Sequence, residues 1–274
     1  MVEKNLKRPI VHWAQNTEAV RQVVMTGDRV NRAAVKIEFL PYEWLLSLGR
    51  GAVWQEPDWA QVFGEMPLHL AHPDHTGRTV HLLFADRSRV ILRFLEQEAL
   101  DSILREDSLC EVILDKDARY GARPRPTDLS RRVKKPTEEQ FRAWCDAYFV
   151  EIVDAAFAAA DQQPLPAATA LERARGVLLQ MTEAAIAAGS DFSINLGIDG
   201  SNLRAYAETV WYDHYVRTYA AATVDSIWDA VFQACMLFRK AGLLLGEKCG
   251  YAYPKKEDVE ILQMLRTTWE EKTR

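Results

Sequence analysis

Hydrophobic positions follow two different periods along the chain, and the change between them falls near its middle. In the first half, a helical pattern from Val11 to about Val20 leads into a β-rich run that ends at Gly27. Short apolar runs bounded by turn residues then predict strands near 37–48, 66–71, 79–86 and 89–96, with Asp86-Arg-Ser-Arg89 as the turn between the last two. In the second half the spacing becomes helical, over 138–160, 166–188, 201–220, 224–248 and 256–271, broken by Pro, Gly or Asn. Thr137 ahead of Glu138 and Glu139 marks a helix start, because its hydroxyl can cap free amides and the acidic turn complements the helix dipole. The run Tyr120-Gly-Ala-Arg-Pro-Arg-Pro-Thr-Asp128, rich in proline and arginine, reads as an exposed connection. It divides the chain into 1–130 and 131–274. The expected fold class is α+β: a small mixed β-sheet with flanking helices, followed by an α-helical bundle, with the cleft between them as the natural ligand site.

Composition narrows the function classes. The 274 residues are 48% hydrophobic and 27% charged, ordinary for a globular protein with real cores. A net charge of −5 lacks the basic surface that draws nucleic acid and suits a small cationic ligand. Cys110, Cys145, Cys235 and Cys249 have no CxxC spacing, so neither a zinc knuckle nor a disulfide framework is expected. The first residues lack a signal-peptide core and no apolar run reaches the length of a membrane span, so a cytoplasmic protein without membrane or nucleic-acid partners is expected.

A series of segments points further. Arg21-Gln-Val-Val-Met-Thr-Gly-Asp-Arg-Val-Asn31, Phe39-Leu-Pro-Tyr-Glu-Trp-Leu-Leu-Ser-Leu48, the paired runs 80–86 and 89–95, Leu114-Asp-Lys-Asp117, Lys135-Pro-Thr137, the segment 227–239 and Tyr251-Ala-Tyr-Pro254 follow one another in a fixed order. By that order and spacing the chain resembles the aminoglycoside 6-adenylyltransferase (streptomycin adenylyltransferase) family over roughly residues 20 to 265. The resemblance implies a nucleotidyltransferase-like sheet domain and, in the family, AMP transfer from ATP on magnesium.

It also shows departures. The family's Gly-Ser-Arg followed by Asn corresponds to Gly27, Asp28, Arg29 and Asn31, with a carboxylate where a hydroxyl would hold phosphate. Its Asp-Tyr-Asp corresponds to Pro41, Tyr42 and Glu43, and its third Asp to Ile91. On the first long helix, Ala147, Phe157 and Ala158 stand where the family has a Glu and a Lys-Gly pair. Two magnesium ions about 4 Å apart need several anionic oxygens, which proline and isoleucine do not supply. The expectation is therefore a site without cofactors, with ATP and magnesium as the alternative, in which Glu38 and Glu43 would be the ligands. No dedicated metal site is expected.

Other constellations carry a structural reading beside a functional one. His69, His72 and His75, with His81 nearby, could ligate a metal, but alternate strand positions face opposite sides and Pro73 is expected to turn the chain, which favours a surface loop. Trp211 and Tyr215 share one helical face and Tyr212 and Tyr219 another, so one set packs and the other is left for a ring or cation. Asp146, Glu151 and Asp154 lie on the first bundle helix, the last two close together. The candidate catalytic set is Glu43, Glu151, Asp154 and Glu38, with Glu43 and Glu151 facing each other across the cleft. The candidate substrate-binding set is Asp28, Arg29, Asn31, Tyr42, Tyr148 and Tyr212. Three functions follow, in order of preference: a repurposed family member acting on a small molecule, such as a natural-product intermediate, without ATP; an aminoglycoside 6-adenylyltransferase; and a non-catalytic binding or immunity protein for a cationic metabolite.

Overall fold

The computed structural model describes residues 5–27, 29–31, 40–52, 56–74 and 77–273. Contacts divide the chain into two units, 1–131 and 132–274. In the first, helix α1 (Lys7–Asn16) precedes strand β1 (Val20–Thr26) and strand β2 (Tyr42–Leu48). Helix α2 (Trp59–Phe63), capped by the Asp58 side chain accepting from the Ala60 amide, leads to strands β3 (Leu68–Asp74), β4 (Gly77–Leu83) and β5 (Arg89–Leu95). Helix α3 (Gln97–Glu106) and strand β6 (Cys110–Asp115) complete the unit.

The six strands form one mixed sheet in the order β3-β4-β5-β2-β1-β6, in which β2 and β5 run parallel and the other neighbours antiparallel. Its central strands are apolar on both faces because both are covered. Val23, Met25, Trp44, Leu46, Val90, Leu92 and Phe94 pack on one side with Ile10 of α1 and Trp59 of α2. Val24, Leu45 and Leu95 pack on the other with Leu100 and Leu104 of α3. The Lys116 ammonium closes the end of α1 by donating to the carbonyls of Ala14 (2.7 Å) and Thr17 (2.8 Å).

In the second unit α4 (Glu138–Ala160) starts from a capping box. Thr137 Oγ1 accepts from the Gln140 amide, and the Gln140 side chain accepts from the Thr137 amide. Helices α5 (Pro164–Ala188), α6 (Leu203–Tyr206), α7 (Thr209–Val216), α8 (Val224–Cys249) and α9 (Lys255–Thr273) follow. Buried Ala155, Ala156 and Ala159 of α4 and Ala167, Ala170 and Ala174 of α5 belong to one core, their small side chains suiting close helix packing. Tyr148 stacks on Phe238 of α8 with ring centres 3.7 Å apart.

The α+β expectation holds: a mixed sheet is followed by helices. Details differ. α1 begins and ends earlier than its apolar pattern suggested, and the span 201–220 is two short helices because Ala207 takes extended backbone between them. His69 and His72 lie in β3 and His81 in β4, not in a loop, while His75 lies outside the described residues. Pro73 lies within β3, an edge strand, where a missing amide hydrogen breaks no interior ladder. α3 and β6 were not anticipated. Among the described residues no helix is long and apolar enough to cross a membrane.

Two helical glycines in the bundle should respond oppositely to alanine. At Gly242 a Cβ would lie 2.4 Å from the Tyr253 ring, whereas at Gly176 it would meet nothing within 4 Å. Gly242→Ala is expected to cost about 1–3 kcal/mol and Gly176→Ala to add about 0.5–1 kcal/mol, read by urea unfolding. Equal responses would contradict the packing described.

Candidate functional site

Cross-strand register builds a row of side chains across the sheet. Cys110 pairs with Thr26, Thr26 with Glu43, Glu43 with Ile91, and Ile91 with His81. Because paired positions share a face, these five residues from β6, β1, β2, β5 and β4 line one side of the sheet. Gly27 follows Thr26 with φ +85°, and a Cβ there would stand 3.4 Å from Glu43 Oε1. Glycine thus serves twice, for the left-handed turn and for the approach of backbone to the carboxylate. Pro41 sits just before β2, two residues from Glu43. The structure brings together the segments around Gly27, Glu43 and Ile91, which are distant in sequence.

Around this row the charged groups are held in place. The Arg29 guanidinium lies 4.4 Å from the centre of the Tyr42 ring and donates to the Leu40 carbonyl at 3.2 Å. Asn31 is half-buried nearby in sequence. Asp28 and Glu38 lie outside the described residues. Beside Thr26, Arg131 donates to Asp107 Oδ2 at 2.6 Å and to Thr26 Oγ1 at 3.0 Å, and Ser130 Oγ donates to Asp107 Oδ1 at 2.8 Å. Burial pushes the Asp107 carboxyl up, but the hydrogen bond from Arg131, with the Leu109 amide and Ser130, outweighs it and holds the group at about 2. Burial pushes the Cys110 thiol up to about 11, so it is no thiolate nucleophile at neutral pH. The His81 ring is lowered by burial, then by the neighbouring charges of His72 and Arg89.

The bundle candidates fare differently. Glu151 accepts from Arg173 Nε of α5 at 2.7 Å. Asp154 is exposed on α4 along with Ala147, Val150 and Phe157. Tyr148 must be withdrawn as a substrate contact: it is 1% exposed, because the stripe Phe141, Cys145, Tyr148 and Ile152 is the core face of α4. Tyr212 is half-buried, with the Arg204 guanidinium 5.7 Å from its ring centre. Trp211 and Tyr215 pack in the core, and Tyr219 carries Arg175 over its ring at 3.1 Å. His69 meets Glu56 at 3.2 Å, and among the described residues no group of three or more His, Cys, Asp or Glu could hold a metal by itself. Sequence reasoning missed the Asp107–Arg131 pair, the place of His81 in the row, and Glu183, which burial and then Asp199 push up to about 7. A cavity of 740 Å³ beside α1, lined by residues such as His12 and Ile113, contains none of the row.

Comparison with known proteins supplies the context. The family model described as streptomycin adenylyltransferase matches residues 1–268. An aminoglycoside 6-adenylyltransferase of Bacillus subtilis (strain 168) is 24% identical over 93% of this chain and 94% of its own length. One from Campylobacter jejuni is 23% identical over 92% and 91%. The crystal structure of an aminoglycoside 6-adenyltransferase from Bacillus subtilis is similar with a TM-score of 0.49 and 21% identity, covering 95% of this chain and 96% of that one.

These relatives overturn the expectation of a site without cofactors, because they are adenylyltransferases that use ATP and magnesium. The physical error lay in asking the protein for every oxygen. Magnesium is commonly held by one or two carboxylates with substrate phosphates and water completing its shell. Glu43 stands beside the Gly27 turn, and Pro41 and Ile91 offer no side-chain oxygen.

The Asp107–Arg131 pair makes a pH prediction. A carboxyl lowered on folding stabilises above its unfolded value, and that stability is lost as pH falls toward about 2. Asp107→Asn is expected to cost about 1–2 kcal/mol at neutral pH, discounted for partial exposure, and progressively less below about pH 4, by urea unfolding at each pH. A cost independent of pH would contradict the pair.

Proposed function

The chain belongs to the streptomycin adenylyltransferase family, and from that premise we propose that it transfers the adenylyl group of ATP to a hydroxyl of an aminoglycoside-type, cationic acceptor. One observation carries the reading. Glu43 of β2 pairs with Ile91 of β5 and with Thr26 of β1, and its carboxylate stands against the Gly27 turn that follows Thr26. That turn is where a triphosphate can approach backbone without meeting a Cβ. Glu43 would hold the magnesium that comes with ATP. Bound there, the ion supplies neutralisation of the charge that develops on the phosphates. Arg29, two residues beyond the turn and steadied by Tyr42 and the Leu40 carbonyl, would meet phosphate oxygens, and Asn31 would add an amide. The net charge of −5 favours a polycationic acceptor.

A second reading is favoured by Pro41 and Ile91, which put no oxygen where the family resemblance implies carboxylates. In it the chain holds Mg·ATP and a cationic metabolite without turnover. Both readings require Glu43 at the nucleotide.

Calorimetric titration of Mg·ATP tests that requirement. Glu43→Gln keeps volume and removes charge, and it is expected to weaken Mg·ATP binding at least about tenfold, roughly 1.4 kcal/mol. The loss should disappear when both proteins are titrated with ATP in excess chelator. Equal affinity of wild type and variant for Mg·ATP would reject the site.

A further inference from the structure

The row that carries Glu43 does not stop at Ile91. It continues to His81 on β4, an interior strand of the sheet. Ile91 forms an aliphatic floor, with Glu43 on one side and His81 on the other, each one strand spacing of about 4.8 Å away. The His81 ring is fixed by stacking on His72 of β3, ring centres 5.4 Å and planes 19° apart. A carboxylate suited to Mg·ATP and an ordered imidazole thus flank one apolar step on the same face. An acceptor hydroxyl lying over Ile91 would have nucleotide to one side and imidazole to the other.

We propose that His81 is the general base of adenylyl transfer. The proposal rests on the transfer reading given above. The unprotonated ring nitrogen of His81 takes the proton of the acceptor hydroxyl as its oxygen attacks the α-phosphorus of ATP. The acceptor O–P bond forms, the bond from the α-phosphorus to the bridging oxygen breaks, pyrophosphate leaves with that electron pair, and His81 returns the proton to solvent.

The surroundings favour the neutral ring that a base requires. His72 faces it from β3; Arg89 and Arg93 flank Ile91 on the same face of β5; Thr79 and Leu83 are its own-strand neighbours on that face. Burial, followed by the charges of His72 and Arg89, lowers its proton affinity below that of an ordinary histidine. The protonated form is inactive as a base, so the rate rises with pH through this lowered value and is flat above it.

The test is pyrophosphate release from ATP, magnesium and an aminoglycoside panel, followed as kcat/KM from about pH 5 to 9 with folding checked by circular dichroism. Wild type should show one rising limb below the usual histidine range. His81→Gln and His81→Asn should lose on the order of 10²–10⁴-fold in kcat with the limb gone and the KM for ATP little changed, and added imidazole should restore part of the rate. His72→Gln, which removes the ring that His81 stacks on and its charge contribution, should move the limb to higher pH. Turnover in both His81 variants with the wild-type limb retained overturns the proposal alone. Absence of turnover by wild type with every acceptor overturns the transfer reading and the proposal with it.

Discussion

The parallel pairing of β2 with β5 is the constraint on which the rest of the first unit's chemistry depends. It sets Glu43 beside Ile91, and through the antiparallel neighbours it fixes Thr26 on one side and His81 on the other. Side chains alternate along a strand, so a slip of one residue would send Glu43 into the core and bring Trp44, which is fully buried, to the site face. The register is pinned because both faces are packed: Trp44, Leu46, Leu92 and Phe94 on one side, Leu45 and Leu95 on the other. Core packing therefore aligns the site, although none of these core residues carries its chemistry.

Within that row charge is sparse and already allocated. Asp107, the other carboxylate near Thr26, is committed to Arg131 and Ser130 and held ionised at about 2, so it serves the fold. Glu43 is the carboxylate of the row itself, and it stands against the Gly27 turn. Ile91 puts an aliphatic side chain between Glu43 and His81 on that face. The bundle contributes a capped, alanine-seamed core whose charged surface includes the Glu151–Arg173 pair.

Much of this was legible in the sequence, and the failures have physical causes. Apolar runs gave β1 to β5 but not β6, and Thr137 with its acidic first turn gave the start of α4. The short helix α3 escaped because Leu100 and Leu104 span one turn, too little for a period to show. Tyr148 belongs to the buried stripe that Phe141, Cys145, Tyr148 and Ile152 trace along α4, on a helix whose charges do not mark that face. The grouping of Gly27, Glu43 and Ile91 was reached through family resemblance, whereas His81 was passed over because its neighbours in the row come from pairing that no local pattern encodes. The expectation of chemistry without ATP counted protein oxygens and left out those of the substrate.

The most direct measurement is mass spectrometry of an aminoglycoside panel, streptomycin included, after incubation with the protein, ATP and magnesium. The account predicts an acceptor heavier by one adenylyl group, formed with stoichiometric pyrophosphate and abolished by chelator and by Glu43→Gln. Unmodified acceptors throughout, from protein that binds Mg·ATP, would contradict adenylyl transfer and leave a binding protein in its place.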